Sequence, residues 1–357
     1  MDTRIWQKNL EKIKRIMRPF AIPALGGALF RCDGKEGTLT ACGGLSLWLT
    51  VSFPVEGDKM EVVLYDVEKF QKASKYFSDQ ITLSYEEKER EIQISDQSRR
   101  CSIKAEHDNV FPLIPQWGKS FTTQIVSAKE MTDMYEEIKY ALSRQQGVRE
   151  SAKNIYYDGV RMIVAGLYQM AQIRCANGKQ GEKIMLPPAA LEWLKIFGDV
   201  PVTLKYDGKL AAFSTESMTL YAKISCNDTI PDFDRFIPKQ FSQECDICPA
   251  ELLKSLDFIS SVEKNFKNKR VILEGDKLYM DGKEKETCAT IQNGSFCRTI
   301  VQFAFLYNSL KQYKKQKTVR LQLNFKNYIA VLSDGKRRMS LICLIRDTKR
   351  RGTDSGV

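Results

Sequence analysis

Catalysis needs a nucleophile with its base, a ligand set for a metal, or carboxylates held together, and this chain of 357 residues offers little of any. Its one histidine, His107, sits beside Glu106 in an expected surface loop, so Ser-His-Asp or Cys-His chemistry has almost nothing to work with. Cys245 and Cys248 form a CxxC pair, but zinc takes four ligands, and the next thiols, Cys288 and Cys297, lack a second paired spacing. The acidic run Glu86, Glu87, Glu89 and Glu91 follows an expected hairpin turn and reads as a charged edge. It does not read as the clustered carboxylates of two-metal hydrolysis. No GxxxxGK[ST] phosphate loop occurs. The expectation is a protein with no catalytic residue, no cofactor and no metal.

What remains is binding. Lysine and arginine outnumber aspartate and glutamate 55 to 44, a formal charge of +11, which favours a polyanionic partner such as duplex DNA. No apolar run is long enough to cross a membrane and the first residues lack an export signal, so a cytoplasmic, nucleoid-associated protein without a membrane partner is expected, its ten cysteines reduced. Two proline-bracketed segments, 106-EHDNVFPLIPQW-117 and 226-CNDTIPDFDRFIPKQF-241, are rigid and amphipathic, as a hand-over between folding units would be.

The elements that would position such binding groups repeat. An alternating strand, a polar turn and a second strand occur at 81-ITLSYEEKEREIQIS-95, 202-VTLKYDGKLAAFS-214 and 319-VRLQLNFKNYIAVLS-333, at spacings of 121 and 117. A helical segment precedes each, at 66–77, 187–197 and 302–313. Each third also opens on an amphipathic helix, with Trp6, Leu10, Ile13 and Met17, then Met131, Met134, Ile138 and Leu142, then Leu252, Leu256 and Ile259 at helical spacing. The fold class is therefore α+β: three tandem domains, 1–120, 121–243 and 244–347, each with two helices and antiparallel sheets, followed by a basic tail, 348–357. Such an arc, closed by dimerisation into a six-domain ring, would line a hole with helices and hold DNA without reading its sequence. Lys8, Lys12, Arg15, Lys69, Lys72, Lys254 and Lys315 are the candidate phosphate contacts by helix position.

The chain resembles the β subunit, or sliding clamp, of bacterial DNA polymerase III over nearly its whole length. TIPDFDRFIP is similar to the family's turn closing the second domain and VFPLIP to the one closing the first. The segment 146-QGVR-149 resembles the loop after the first helix of domain two, and LICLIR takes the place of the family's final strand. The resemblance implies a homodimeric ring that tethers the replicative polymerase as a processivity factor. It also implies a groove between domains two and three for short peptides of polymerase, clamp loader and other partners. The matching groove positions are Ala165, Leu167, Tyr168, Gln169 and Met170, then Pro231, Arg235 and Phe236, then Leu341, Cys343, Ile345 and Arg346 on the last strand. For DNA the matching stretches supply Gln146 and Arg149, with Arg18 next to the position of a family DNA-contacting arginine that is Pro19 here, and for head-to-tail closure through edge strands Cys101 and Ile103 with Ile272 and Leu273.

The chain departs from the family's pattern at 165-AGLYQM-170, where a hydroxyl, a glycine and a basic residue are replaced, and at Leu344, where a proline is usual. A different peptide specificity is expected. Two alternatives stand beside the clamp reading: a clamp-like paralogue with altered partners, and a nuclease acting on nucleic acid.

Overall fold

The computed structural model describes residues 1–18, 26–44, 46–107, 111–143, 149–176, 178–225, 229–262, 269–283, 286–291 and 294–347. One order of elements occurs three times. The first copy runs α1 (Thr3–Ile16), β1 (Ala28–Cys32), β2 (Glu36–Cys42), β3 (Leu47–Pro54), β4 (Met60–Leu64), α2 (Val67–Ser74), β5 (Thr82–Glu86), β6 (Glu91–Ser95) and β7 (Arg100–Glu106). The second adds a leading strand, β8 (Thr122–Ser127), before α3 (Ala128–Ile138). It continues with β9 (Ile155–Tyr157), β10 (Arg161–Ala165), β11 (Gln169–Arg174), β12 (Ile184–Leu186), α4 (Pro188–Trp193), β13 (Pro201–Tyr206), β14 (Leu210–Ser214) and β15 (Met218–Lys223). The third comprises β16 (Gln243–Ile247), α5 (Pro249–Val262), β17 (Arg270–Gly275), β18 (Lys277–Met280), β19 (Cys288–Thr290), β20 (Phe296–Gln302), α6 (Phe303–Lys311), β21 (Val319–Asn324), β22 (Ile329–Ser333) and β23 (Arg338–Cys343).

By contacts the chain divides into two units, Met1–Thr132 with Ile184–Cys226 and Asp133–Lys183 with Asn227–Val357, so the second copy contributes to both. In the first unit the strands form one antiparallel sheet in the order β5-β6-β7-β4-β1-β2-β3-β15-β14-β13-β8. In the second unit they follow β9-β10-β11-β23-β22-β21-β16, with a separate sheet β19-β18-β17-β20.

Alternation along each strand divides a core face from an outer face. In the first copy α1 starts where the Asp2 carboxylate accepts the amides of Arg4 and Ile5 at 2.8 and 3.0 Å. It buries Trp6, Leu10, Ile13 and Ile16, and the Trp6 ring meets Phe30, Phe53 and Phe70 with centroids 5.9 to 6.4 Å apart. The helix ends at Ile16, so that residue completes the apolar stripe where Met17 was expected. In the third copy Leu252, Leu256 and Ile259 of α5 join one core with Phe303, Leu306 and Leu310 of α6. Among the described residues no helix is long and apolar enough to cross a membrane.

The outer face is where the proline segments act. Phe111 packs with Leu29, Cys42, Trp48 and Val63 on the outward side of β1–β4, and the Trp48 indole N–H donates to the Pro112 carbonyl at 2.9 Å. Phe233 does the corresponding work in the second unit, its ring 4.6 Å from that of Tyr156 on β9. Each proline turn is thus a strap with one buried aromatic.

The expected edge strands need a correction. β17, which carries Ile272 and Leu273, is flanked by β18 and β20, so its backbone is fully paired and both side chains are buried. The terminal strands of that sheet are β19 and β20. For Cys101 and Ile103 the expectation fares differently. β7 pairs β6 along Arg100–Lys104 but meets β4 only at Ala105 and Glu106, which leaves the other side of its first half without a strand partner.

Candidate partner groove and nucleic-acid face

Register builds the groove floor. Ala165 lies opposite Met170, and Met170 opposite Leu341, so the three share one row on one face of β10, β11 and β23. Met170 and Leu341 are buried, and Cys343, two residues further along β23, shares the face and is half-buried. Burial pushes the Cys343 thiol pKa up, so it behaves as an apolar group there. A tight turn joins β10 to β11, closed by the Gly166 amide on the Gln169 carbonyl at 2.9 Å. A Cβ at Gly166 would lie 2.5 Å from the Ala141 carbonyl oxygen, so no larger residue fits without movement. The Cys343 amide donates to the Tyr168 carbonyl at 2.8 Å and fastens this turn to the end of β23. Leu167 and Tyr168 are left 50% and 52% exposed, the Tyr168 ring stacking on Phe305 with centroids 6.1 Å apart. Below them the Gln169 side-chain amide donates to the Tyr140 carbonyl at 2.9 Å, and its buried oxygen has no partner among the described residues.

The second wall is the strap 229–238. Tyr156, Ile163, Gln172 and Met339 form the next row of the same sheet face, two residues along from the Ala165–Met170–Leu341 row. Phe233 and Ile230 share a cleft with Tyr156 and Ile163, which places the strap on that face. Charge locks it. Arg161 donates to both oxygens of Asp234 at 2.7 and 2.9 Å and, through Nε, to Asp158 at 3.0 Å. The hydrogen bonds from Arg161 hold the Asp234 carboxyl below its usual pKa, and those to Asp234 and then Asp158 push the guanidinium up. The short 3₁₀ turn Phe233–Phe236 then presents Phe236, 50% exposed, and Arg235, whose guanidinium pairs with Asp232 at 3.1 Å. Pro231 is half-buried at the start of the turn.

Two groove positions are not brought to the floor. The last strand stops at Cys343: the Leu344 amide donates to Tyr328 and the Ile345 amide to Ile300, so the chain leaves β22 and runs beside β20. Ile345 therefore packs against Ile272, Tyr279 and Ile300, and Arg346 lies over the Tyr328 ring at 4.9 Å. Sequence reasoning also missed the Arg161–Asp158–Asp234 triad. The Asp158–Arg161 spacing is local and visible, but the third member lies 73 residues away in sequence.

The basic candidates differ in how committed they are. On α1, opposite the buried stripe, Lys8 is exposed and Lys12 half-buried, with the Lys12 pKa lowered by burial and by the neighbouring Lys8 charge. Like charges one turn apart cost a few tenths of a kcal/mol in a free helix, roughly 0.2–0.5. Arg15 pairs with Glu11 at 2.8 Å and Arg18 is exposed beyond the helix end. Lys72 pairs with Glu68 at 3.0 Å, while Lys69 donates to the Ser102 carbonyl on β7 at 2.9 Å and is partly spent there. Lys254, Lys315 and Arg149 are exposed, and Gln146 lies outside the described residues. Among the described residues no cluster of His, Cys, Asp and Glu could hold a metal ion.

No protein-family model matches the sequence, and no curated protein does. Solved structures do match. The DNA polymerase III subunit beta of Pseudomonas aeruginosa aligns with a TM-score of 0.78 at 15% identity, over 97% of this chain and 99% of that one. The beta subunit from DNA polymerase of Streptococcus pyogenes gives 0.76 at 16% identity, over 97% and 99%. A Pseudomonas aeruginosa sliding clamp bound to griselimycin gives 0.74 at 14%, over 97% and 98%. The chain has the sliding-clamp fold, at a sequence distance that makes it a divergent example of it.

Proposed function

We propose that the chain is one subunit of a head-to-tail homodimeric ring that encircles duplex DNA and tethers a polymerase, and that it carries no catalytic residue. One observation supports this most strongly. The chain uses the same junction twice: β3 pairs β15, and β11 pairs β23, each joining the third strand of one copy's first sheet to the last strand of the next copy's hairpin. Applied a third time, the rule joins β19 to β7. β19 is a terminal strand and the first half of β7 is open, so each end of the chain offers the edge the other requires. Pairing them between two copies closes a ring of six modules with the boundaries near 120 and 243, and covers two edges that would otherwise recruit other strands. The closing residues are then Cys288–Thr290 against Arg100–Lys104, which keeps Cys101 and Ile103 in the interface.

Inside the ring the polar faces of the first helices would meet phosphate through mobile lysines, Lys8 and Lys12 foremost, with no base readout. Outside it, the Ala165–Met170–Leu341 floor, flanked by Leu167, Tyr168 and Phe236, would take apolar side chains of an extended peptide from polymerase or clamp loader. Sedimentation of the purified protein together with its retention on nicked circular DNA, and release on linearisation, tests the ring. A monomer at micromolar concentration that leaves both DNA forms alike would remove it. The turn supports a second reading, a clamp-like paralogue with altered partners. Leu167 and Tyr168 give its tip an apolar and aromatic character where the family pattern is polar and basic. A ring that slides on DNA yet ignores polymerase-tail peptides would favour that reading.

A further inference from the structure

A cavity beside β5 is lined entirely by residues of the first unit. Its volume is about 570 Å³, within the range of sites that hold small ligands or short peptide segments. Its floor joins the buried Phe30 from β1 and Val62 from β4 to side chains that the fold leaves half-covered, Met60 from β4 and Leu83 and Tyr85 from β5. Its rim is the loop between β3 and β4, where Glu56, Asp58 and the following Lys59 are exposed.

One wall is an open strand edge. β5 is the terminal strand of its sheet and pairs only β6 along Thr82–Glu86. The same edge is already in use one step earlier in the chain. Thr3 donates to Asp79, Asp2 bridges Gln80, the Ile81 amide donates to the Met1 carbonyl at 2.9 Å, and the Met1 amine donates back to Ile81 at 3.1 Å. Residues 1–3 thus form a short antiparallel addition beside 79–81, and among the described residues no strand continues that addition along β5.

Charge selects the occupant. The chain as a whole is +11, yet at the cavity Glu56 and Asp58 balance Lys59 and the Met1 ammonium, and the adjoining cleft adds Asp33 and Glu36, which turns the surroundings acidic. Glu61, which also lines the cavity, is paired with Arg31 at 2.7 Å and adds little net charge. His107 stands at the side, its ring 5.3 Å from that of Tyr85.

We propose that this cavity binds an extended segment of a partner protein with alternating apolar and basic residues, added as a strand to the open edge of β5. Main-chain hydrogen bonds to β5 hold the segment, apolar side chains enter over Leu83 and Tyr85, and lysine or arginine side chains meet Glu56 and Asp58. The site is built from residues of the first unit and the peptide groove from residues of the second, and the site does not depend on the ring.

The test uses the full chain with two labelled synthetic peptides, Lys-Val-Lys-Val-Lys-Val and Glu-Val-Glu-Val-Glu-Val, read by fluorescence anisotropy. The basic peptide binds and the acidic one does not. The double variant E56Q/D58N, both positions exposed and in a loop, weakens binding about three- to tenfold, the range two exposed ion pairs supply. Hydrogen exchange slows at alternate amides within 82–86 when the basic peptide is present, and Phe236→Ala leaves its affinity unchanged. Equal binding of both peptides, insensitivity to E56Q/D58N, unprotected β5 amides, or a loss of affinity in Phe236→Ala would each overturn the assignment, the last by placing the peptide in the groove.

Discussion

Replacing Phe236 with alanine isolates the groove's contribution to docking. A phenylalanine side chain buries about 150–250 Å², and half of Phe236 is exposed, so a docked peptide can cover on the order of 100 Å² of it. At roughly 25 cal/mol per Å² the ceiling is about 2.5 kcal/mol. Partial coverage and the ordering of a flexible peptide take back part of this, leaving a loss of about 1–2 kcal/mol, or roughly tenfold in Kd. The ring's remaining contact is with Phe233, 6.3 Å away, while Phe233 itself stays anchored on Tyr156, so the strap keeps its seat in the variant. Arg235→Ala is the matched control: its guanidinium is largely exposed and tied only to Asp232, and rim charges of this kind are worth about 0–1 kcal/mol. Anisotropy titration of a labelled polymerase-tail peptide, with melting temperatures measured in parallel, reads both variants. Equal Kd values for wild type and Phe236→Ala, with the fold intact, would refute the docking argument.

Three further outcomes follow from the structure. Arg161→Met removes the guanidinium from Asp158, whose side chain is only 10% exposed but keeps the backbone amides of Val160 and Arg161, so the variant should be destabilised by about 1–3 kcal/mol in denaturant titration, with faster hydrogen exchange at 230–237. Acid should act through aspartates whose folded pKa is depressed: Asp234, through Arg161, and Asp334, where burial pushes up but the amides of Arg338, Lys336 and Arg337 pull down further. Such stability is present above the unfolded carboxylate pKa of about 3.9 and lost as pH falls through the lower folded values, so Asp334→Asn should cost stability at pH 7 and progressively less below about pH 4. Cys288, exposed on β19, should be alkylated before buried Cys32 and Cys42, and more slowly as protein concentration rises and the proposed β19–β7 pairing forms; a concentration-independent rate counts against that interface.

How much of this was legible beforehand depended on the range of the signal. The three hairpins and six helices announced themselves through local periodicity, and all appear close to where the alternation and helical spacing place them. The groove floor was half legible. Ala165, Met170 and Leu341 come together because β11 pairs β23, a register between residues about 170 positions apart in sequence that no local pattern encodes. Ile345 went astray for a related reason. The alternation of LICLIR reads as one continuous strand, but the backbone of Leu344 and Ile345 changes partner from Tyr328 to Ile300, and a change of partner leaves no mark on side-chain pattern. Ile272 and Leu273 show the converse. An apolar β-branched run such as VILE fits a central strand better than an edge, since edges favour charge and central strands are buried on at least one face. VIL at 271–273 is buried throughout, and that alone argued against an edge.

The same reasoning explains why binding function concentrates at strand ends and edges in this fold. A repeated module that buries its helices' apolar stripes and its sheets' inner faces has few surfaces left to vary: the outer faces, the turns and the unpaired edges. The proline straps consume part of the outer face, Phe111 in one copy and Phe233 in the next, and near the end of the second strap the Phe236 ring stays half exposed. Edges are consumed by junctions between copies, so each copy lost or gained shifts an open edge without abolishing it. Among the described residues, three copies in one chain leave the first half of β7 and the outer edge of β19 without a strand partner, the pair that the proposed ring closure would match. β5 differs: residues 1–3 cover only 79–81 ahead of it, where a whole strand, β8 or β16, covers the corresponding edge in the other two copies. With β8 beside β13 and β16 beside β21, the first copy alone leaves uncovered along Thr82–Glu86, among the described residues, an edge that the other two cover from within the chain, and that is where the proposed partner strand would add.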